Sequence, residues 1–277
     1  TGVGARASVD TAAIRDAAAA SAMAAVRHER LVVDLTGVDL VDAATAGQAV
    51  VEGVLLARYR YRVFRDIPNE AHLRGLTIVT DRGHVRAVRR GAARGEIMAR
   101  AVNLARDLGN TPATHLTATR FADVAKAIGP ETGLTVEIFD QADLVKMGCG
   151  GLLGVNAGSH EEARLIKLTY TPSGRSRGHL ALVGKGIMYD AGGLSLKPSD
   201  AMHALMKLDM SGAGAIFGAM TTLRDLGCKA TVTGYLTCTD NMPSGTATRL
   251  GDVLTIRNGK TVEVINADAE GRLVMAD

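Results

Sequence analysis

Residues 183–197 read VGKGIMYDAGGLSLK, and the interpretation of the whole chain starts from this stretch. The apolar run over residues 179–183 is typical of a short strand, and the glycines that follow it predict a loop. That loop carries Lys185, Asp190 and Lys197. Because α/β sheets bind ligands where their strands end, we expect a functional site at this point.

A second charged cluster lies about 80 residues further along the chain, where residues 266–273 read NADAEGRL. Divalent cations are held by carboxylate oxygens, and two cations roughly 3.5–4 Å apart need several acidic groups to offset their mutual repulsion. The two clusters and the segment between them supply four such groups: Asp190, Asp209, Asp268 and Glu270. The sequence therefore predicts a site for two metal ions.

Two lysines accompany these acids. An ammonium group has no lone pair and is repelled by cations until it loses its proton, and nearby positive charge favours that loss. Lys185 is therefore a candidate neutral ligand, whereas Lys197 is a candidate charged group that stabilises an oxyanion.

Each cluster taken alone also has an ordinary interpretation. A glycine-rich segment is more often a tight connection than an active site, and this one lacks the Gly-Lys-Ser/Thr of a phosphate-binding loop. An Asp-x-Glu pair usually lies on a solvated surface. The joint occurrence of both clusters with the spaced lysines favours the metal site.

Three stretches resemble the leucyl aminopeptidase (cytosol aminopeptidase) family of two-metal exopeptidases. Residues 183–197 resemble its lysine, aspartate, double-glycine, lysine motif, and residues 266–273 resemble its Asn-Thr-Asp-Ala-Glu-Gly-Arg-Leu signature. Residues 105–117, ARDLGNTPATHLT, resemble the start of its catalytic domain. The three stretches occur in the order that the family has.

The resemblance implies a role for each candidate ligand. Asp190 and Glu270 would bridge both metals, and Asp268 would bind one of them through its side chain and its main-chain carbonyl. Lys185 and Asp209 would complete the other metal. The metals are expected to be two divalent ions per chain, Zn or Mn, with Mg or Co as further candidates.

The resemblance also implies the chemistry and its setting. Lys197 would polarise the scissile carbonyl and hold the oxyanion, while Arg272 would bind a bicarbonate that relays a proton. The expected substrates are peptides with a free amino terminus, preferably Leu-like, and the expected assembly is a homohexamer.

The chain departs from the family pattern at two places. Ala267 stands where the family usually has Thr, which removes a hydroxyl group but no ligand. The interval from Lys197 to Asp209 is one residue longer than expected, so Asp200 competes with Asp209 for the ligand position.

Length and composition agree with a two-domain globular enzyme. The 277 residues exceed the usual size of one domain, and 47% hydrophobic with 22% charged residues excludes a disordered chain. Three cysteines without metal-like spacing are interpreted as reduced thiols. No apolar run approaches the ~18 residues of a membrane span, and no signal peptide is recognisable, so we expect a cytoplasmic protein without membrane contact.

Helix and strand patterns alternate along the chain. We expect an amino-terminal α/β domain over residues 1–90, a connecting helix over 91–108, and a three-layer helix/sheet/helix catalytic domain over 109–277. The individual predictions are helices over 10–27, 42–59, 117–128 and from 209 to about 226, and strands over 31–35, 76–80, 135–139, 164–170 and 179–183. Asn258 and Gly259 predict a hairpin with a type I′ turn between strands 253–257 and 261–265.

The ends of the chain suggest a fragment. It begins at Thr1 without an initiator Met and ends at Asp277, just after its second motif. The resemblance implies further residues at both ends, so we expect a chain that is partial at both ends. We also expect a chain ending at Asp277 to be a poor catalyst, because neighbouring strands hold catalytic groups in place.

Two other functions compete with this interpretation. Residues 58–65 interleave arginines with aromatic residues and residues 82–94 add further arginines, a pattern that suits nucleic-acid binding. Against nucleic-acid binding, the net charge is only +3, and the first stretch equally fits a solvated edge strand.

A two-metal phosphoesterase is the other competing function, but such sites usually include histidines. Only His203 lies near the clusters, and we interpret it as a helix-surface residue.

Overall fold

A computed structural model describes residues 9–64 and 66–277 of the chain. Residues 1–8 of the predicted amino-terminal domain and Arg65 of the basic stretch lie outside the described residues. The chain divides into two compact units, 1–103 and 104–277.

The first unit packs helices against a two-stranded parallel sheet. Its elements are α1 Thr11–Ala24, β1 Arg30–Asp34, α2 Ala43–Ala57, β2 Gly75–Val79 and the first part of α3 Val85–Asn110. Asp10 and Asp42 cap the first two helices by accepting hydrogen bonds from backbone amides of the first turn. The core consists of apolar side chains from α1, α2 and one face of the sheet.

The boundary between the units lies within α3, between Asn103 and Leu104. The predicted connecting helix over residues 91–108 is part of this longer helix. The first predicted domain ends at residue 90, before this boundary, and the second begins at residue 109, after it.

The second unit contains a four-stranded mixed sheet. Its elements are α4 Ala118–Glu131, β3 Leu134–Phe139, α5 Gln141–Met147, α6 Gly150–Asn156, β4 Arg164–Tyr170, β5 His179–Asp190, α7 Ala201–Ala204, α8 Ser211–Met220, β6 Thr231–Asn241, β7 Val253–Thr255, β8 Thr261–Glu263 and α9 Gly271–Val274. The sheet order is β3-β4-β6-β5, in which only β5 and β6 run parallel. β7 and β8 form a separate hairpin.

Two hydrophobic cores cover the two faces of this sheet. On one face, α4 and α8 pack together through Phe121 and Phe217, whose ring centroids lie 5.9 Å apart in an edge-to-face arrangement. On the other face, Leu144 and Leu152 join a second core. Neighbouring residues of β5 point to opposite faces, since Met188 belongs to the first core and Ile187 to the second. The predicted three-layer helix/sheet/helix fold is confirmed.

Besides the connecting helix, two predicted elements depart from their predicted limits by more than three residues. β5 continues through the glycines to Asp190, so the predicted loop after residue 183 is wrong for residues 184–190. Backbone pairing with β6 extends the strand, because Lys185 lies opposite Thr237 and Gly186 opposite Cys238. The helix predicted from 209 to about 226 runs only over Ser211–Met220, and turns follow it.

The predicted hairpin exists, but its turn is of another type. Gly259 has a φ of 85°, whereas Asn258 does not have the positive φ that a type I′ turn requires. The amide of Ile256 donates to the carbonyl of Lys260, and the amide of Gly259 donates to the carbonyl of Ile256. This is the pattern of a three-residue loop that ends in a glycine bulge.

Among the helices of residues 9–64 and 66–277, none is both long enough and apolar enough to cross a lipid bilayer.

Candidate metal centre

β5 delivers two of the candidate site residues. Asp190 is the last residue of the strand and is only 3% exposed, while Lys185 lies five residues earlier, with its side chain 27% exposed. The strand runs parallel to β6, so both strands end at the same edge of the sheet. The end of β5 is therefore where a ligand site is expected.

The loop after β5 brings Lys197 back over the strand end. Gly192 and Gly193 have φ values of 89° and 61°, a left-handed conformation that favours glycine. The amide of Lys197 donates to the carbonyl of Ala191 over 3.0 Å and closes the loop. The Lys197 ammonium then lies 2.9 Å from Asp190 Oδ2 and pairs with Asp268 as well.

The segment after the hairpin supplies Asp268 and Glu270. Asn266 begins a short 3₁₀ helix, Ala267–Ala269, by accepting a hydrogen bond from the amide of Asp268 over 2.8 Å. The amide of Ala267 donates to Ser195 Oγ over 3.0 Å and ties this segment to the loop after β5. Glu270 follows the 3₁₀ helix and is 1% exposed. The two motifs of the sequence therefore meet at one place.

Asp209 joins the site through Lys185. The Lys185 ammonium lies 2.7 Å from Asp209 Oδ2 and 2.6 Å from Glu270 Oε1. The competing residue Asp200 is exposed and caps α7, where it accepts a hydrogen bond from the amide of His203. The geometry therefore favours Asp209 over Asp200, despite the longer interval from Lys197.

Three of the four acids form a compact cluster suited to cations. Asp190, Asp268 and Glu270 each offer a carboxylate oxygen, and these oxygens lie within 4.8 Å of one another. Two of the three side chains are almost fully buried, and buried carboxylates need cationic or hydrogen-bonding partners. An all-oxygen donor set of this kind fits hard or borderline divalent cations.

The charges of the site influence one another. Burial alone would lower the pKa of Lys185, but its hydrogen bonds to Asp209 and Glu270 outweigh burial and raise that pKa. Burial alone would likewise lower the pKa of Lys197, but Asp268 and Asp190 outweigh burial and raise that pKa. For Asp209, burial dominates and raises the pKa of the carboxyl group despite the nearby Lys185. Both lysines are therefore held as ammonium groups by the carboxylates around them.

Arg272 has a different environment from the other predicted site residues. It lies on α9 and its side chain is exposed, two residues after the buried Glu270. Its assignment to a bicarbonate stays a prediction.

Asn241 also lies at the site, although it belongs to neither of the two charged motifs. It is the last residue of β6, lies opposite Asp190 in the sheet and is 4% exposed. Its side-chain amide donates to Asp190 and Glu270. The available signal was a polar residue at the end of an apolar strand, but β6 was itself not predicted.

Three arginines of the first basic stretch, residues 58–65, are engaged within their own unit. The Arg58 guanidinium donates to the carbonyls of Val26 and Ala71 over 3.0 and 2.6 Å. Arg60 pairs with Glu70 at 2.6 Å, and Arg62 lies 3.7 Å from the same carboxylate. Residues 58–64 form no strand, so the predicted edge strand is wrong. Arginines committed to internal carbonyls and a carboxylate are not free to bind phosphates.

The second basic stretch is exposed, as is usual for a solvated helix surface. Its arginines are Arg82, Arg86, Arg89, Arg90 and Arg94.

His203 and the cysteines take no part in the carboxylate cluster. The ring of His203 lies against Tyr189, with ring centroids 5.7 Å apart, so the residue is partly buried rather than on an open helix surface. Cys149 and Cys238 are buried free thiols, and Cys228 is free and partly buried. Within the described part of the chain, the potential metal-binding cluster contains carboxylates alone, which weakens the comparison with histidine-containing phosphoesterase sites.

Sequence models of one protein family match both parts of the chain. The model described as the catalytic domain of the cytosol aminopeptidase family matches residues 103–277, and the model of that family's N-terminal domain matches residues 1–68.

Individual relatives carry the same description. A probable cytosol aminopeptidase of Streptomyces avermitilis is 44% identical over 273 residues, which cover 97% of this chain and 52% of the relative. A probable cytosol aminopeptidase of Mycobacterium leprae is 41% identical, covering 95% of this chain and 51% of the relative. The chain spans about half the length of the curated relatives it matches.

A solved structure has a similar fold. The bottromycin maturation enzyme BotP in complex with Mn is 40% identical in sequence, with a TM-score of 0.90. The similarity covers 100% of this chain and 58% of that one.

Proposed function

The chain belongs to the cytosol aminopeptidase family, and from this membership we propose that it is part of a metal-dependent aminopeptidase. The proposed reaction releases amino-terminal residues, preferably Leu-like, from peptides with a free amino terminus. The observation that carries the proposal is the meeting of two lysines with buried carboxylates at the end of β5. A phosphoesterase site would not explain both lysines.

The proposed site holds two divalent cations. Asp190 and Glu270 would bridge both of them, which suits their burial and the closeness of their carboxylate oxygens. Asp268 would bind one cation through its side chain and main-chain carbonyl, and Lys185 with Asp209 would bind the other. As a ligand, Lys185 would have to release the proton that its carboxylate neighbours now favour.

The identity of the cations is part of the proposal. Carboxylate-rich sites accept Mn, Zn, Mg or Co according to supply. The complex of BotP with Mn supports Mn for this chain. When bound, a pair of such cations supplies a nucleophilic hydroxide near neutral pH and polarises the substrate carbonyl.

The remaining chemistry falls to side chains of this chain. The Lys197 ammonium would stabilise the oxyanion that forms when water oxygen bonds to the scissile carbonyl carbon. Arg272 would hold a bicarbonate that takes a proton from the water and passes it to the leaving amine. The bond between carbonyl carbon and amide nitrogen then breaks, and the products are a free amino acid and a shortened peptide.

The assembly and location of the whole protein are also proposed. We expect a homohexamer, which the resemblance implies, and a cytoplasmic location, which the names of the relatives support.

An assay with Leu-p-nitroanilide and its N-acetylated form tests the proposal. We expect the purified full-length protein, of which this chain is proposed to be part, to cleave only the first compound, because a cation would coordinate the free amine of the substrate. A chelator should abolish the cleavage, and added Mn²⁺ should restore it. Equal cleavage of both compounds, or activity that survives chelation, would refute the aminopeptidase proposal.

A further inference from the structure

We propose that Asn241 is a positioning residue that fixes both of the carboxylates proposed to bridge the two cations. It stands at the carboxyl end of β6, opposite Asp190 at the end of the neighbouring parallel strand. The inference rests on the proposed metal site and extends it to a neutral residue outside the ligand set.

The Asn241 side chain makes three contacts through one nitrogen. Nδ2 donates to Asp190 Oδ1 over 2.9 Å, to the main-chain carbonyl of Ala267 over 3.0 Å, and to Glu270 Oε2 over 3.3 Å. An amide nitrogen carries two hydrogens, so the three acceptors share them. One side chain therefore links β5, the 3₁₀ helix that contains Asp268, and Glu270.

The surroundings determine the orientation of the amide. All three neighbours of Nδ2 are oxygens that accept hydrogen bonds, so a rotated amide would place Oδ1 against three acceptors. On the other side, Oδ1 lies against the backbone of Gly193, where an added Cβ would come within 2.7 Å of it. The amide is thus held between the loop after β5 and the carboxylates.

Each of the two carboxylates has one cationic partner, and both accept from the Asn241 amide. Asp190 Oδ1 accepts in addition from the backbone amide of Gly192 over 2.8 Å. Glu270 Oε1 lies 2.6 Å from Lys185, and Asp190 Oδ2 lies 2.9 Å from Lys197. Their other oxygens accept from Asn241. Cations repel the two ammonium groups but exert no such repulsion on an amide. The hydrogen bonds from Asn241 therefore keep the carboxylate orientations that the cations require.

The burial of Asp190 and Glu270 explains why a neutral donor such as the Asn241 amide suits the space between them. Asp190 and Glu270 are 3% and 1% exposed, so each oxygen needs a donor or a cation. An amide satisfies two oxygens without occupying a cation position and without adding charge.

The test compares Asn241→Leu and Asn241→Ala with a control on the same strand. Leu branches at Cγ as Asn does but is bulkier and has no donor, whereas Ala leaves space for a water and is the variant better able to fold. The control is Thr239→Val, since Thr239 is 1% exposed on β6 and bonds to Asn156 rather than to a carboxylate of the site. All proteins are titrated with Mn²⁺ against a chromogenic chelator, and their electron paramagnetic resonance spectra are recorded.

We expect both Asn241 variants to bind Mn²⁺ about 10–100-fold more weakly, the usual effect of losing a partner of metal ligands. The spectrum of a coupled Mn²⁺ pair should give way to that of isolated ions, whereas Thr239→Val should bind like the wild type. If the Asn241 variants keep the wild-type affinity and coupled spectrum and lose only thermal stability, Asn241 is a structural residue and the inference is wrong. If the wild-type chain binds no Mn²⁺ pair, the proposed function fails first, and the inference fails with it.

Discussion

At the scale of single residues, Lys197 offers the clearest separation of catalysis from metal binding. Its ammonium contacts Asp190 and Asp268 but is proposed to act on the substrate oxyanion. When Lys197→Ala is made in the full-length protein, we expect kcat to fall about 10²–10³-fold, the usual cost of one oxyanion donor. Metal content should persist, because the substitution removes a positive charge and no ligand.

Steady-state kinetics with metal analysis checks this prediction. Lys167→Ala is the matched control, since Lys167 pairs with Glu137 at 2.8 Å on β3 and β4, away from the carboxylate cluster. An unchanged kcat with a raised KM in Lys197→Ala would instead identify a substrate-binding residue.

The sequence predicted the charged residues of the site better than its neutral ones. Asp190, Lys197 and Glu270 belong to motifs whose spacing is visible along the chain. Asn241 has no such local pattern, because its role depends on the pairing of β6 with β5. A residue whose partners come from three separate segments becomes recognisable only when the sheet order is known.

At the scale of elements, β5 shows why a glycine-rich run was misinterpreted. Glycines usually indicate loops, yet Gly184 and Gly186 lie within the strand. A Cβ on Gly184 would come within 2.7 Å of the backbone of Ala213, so the glycine lets α8 pack closely against the strand. Close packing between layers, which no local pattern reveals, is the reason for this glycine.

Gly271, the first residue of helix α9, lies against the side chain of the proposed ligand Lys185. A Cβ on Gly271 would lie 2.9 Å from both Cδ and Cε of Lys185 and 3.1 Å from its ammonium nitrogen. These atoms belong to a flexible side chain, so in Gly271→Ala we expect Lys185 to move while the backbone stays. Since Ala is favoured over Gly in a helix, folding should suffer little.

We therefore expect Gly271→Ala to keep a melting temperature close to that of the wild type but to lose Mn²⁺ affinity about tenfold or more, as when a metal site is disturbed. Calorimetric titration and thermal unfolding measure the two quantities. Gly245→Ala serves as control, because a Cβ at Gly245 would meet no atom within 4 Å. Unchanged affinity in Gly271→Ala would argue against Lys185 as a ligand.

At the scale of the whole molecule, length and alternating patterns were sufficient to predict two α/β units. The position of their boundary was less accessible, because it falls within the continuous helix α3 rather than in a loop. The helical sequence pattern of α3 continues across the boundary, so it does not reveal where the helix stops packing against one unit and begins to belong to the other. One core lies wholly within the first unit and the two others lie wholly within the second, a separation that is visible only in three dimensions.

All the proposed ligands lie in the second unit, which leads to a prediction about stability. The ligands Lys185 and Glu270 are 85 residues apart in the sequence, so an unfolded chain does not present them together. Cations that bind only the folded form stabilise it by about 2.7 kcal/mol at a concentration of 100 times Kd. We expect Mn²⁺ to slow amide hydrogen exchange in β5 and β6 relative to chelated protein, while exchange in α1 and α2 stays unchanged.

Hydrogen exchange followed by mass spectrometry of peptides from both units checks this expectation. Glu270→Ala is the control, because removal of a carboxylate proposed to bridge both cations should abolish the effect in β5 and β6. Equal slowing in both units would mean that they unfold together. Slowing that persists in Glu270→Ala would mean that the cations bind elsewhere, because a site that depends on a bridging carboxylate does not survive its loss.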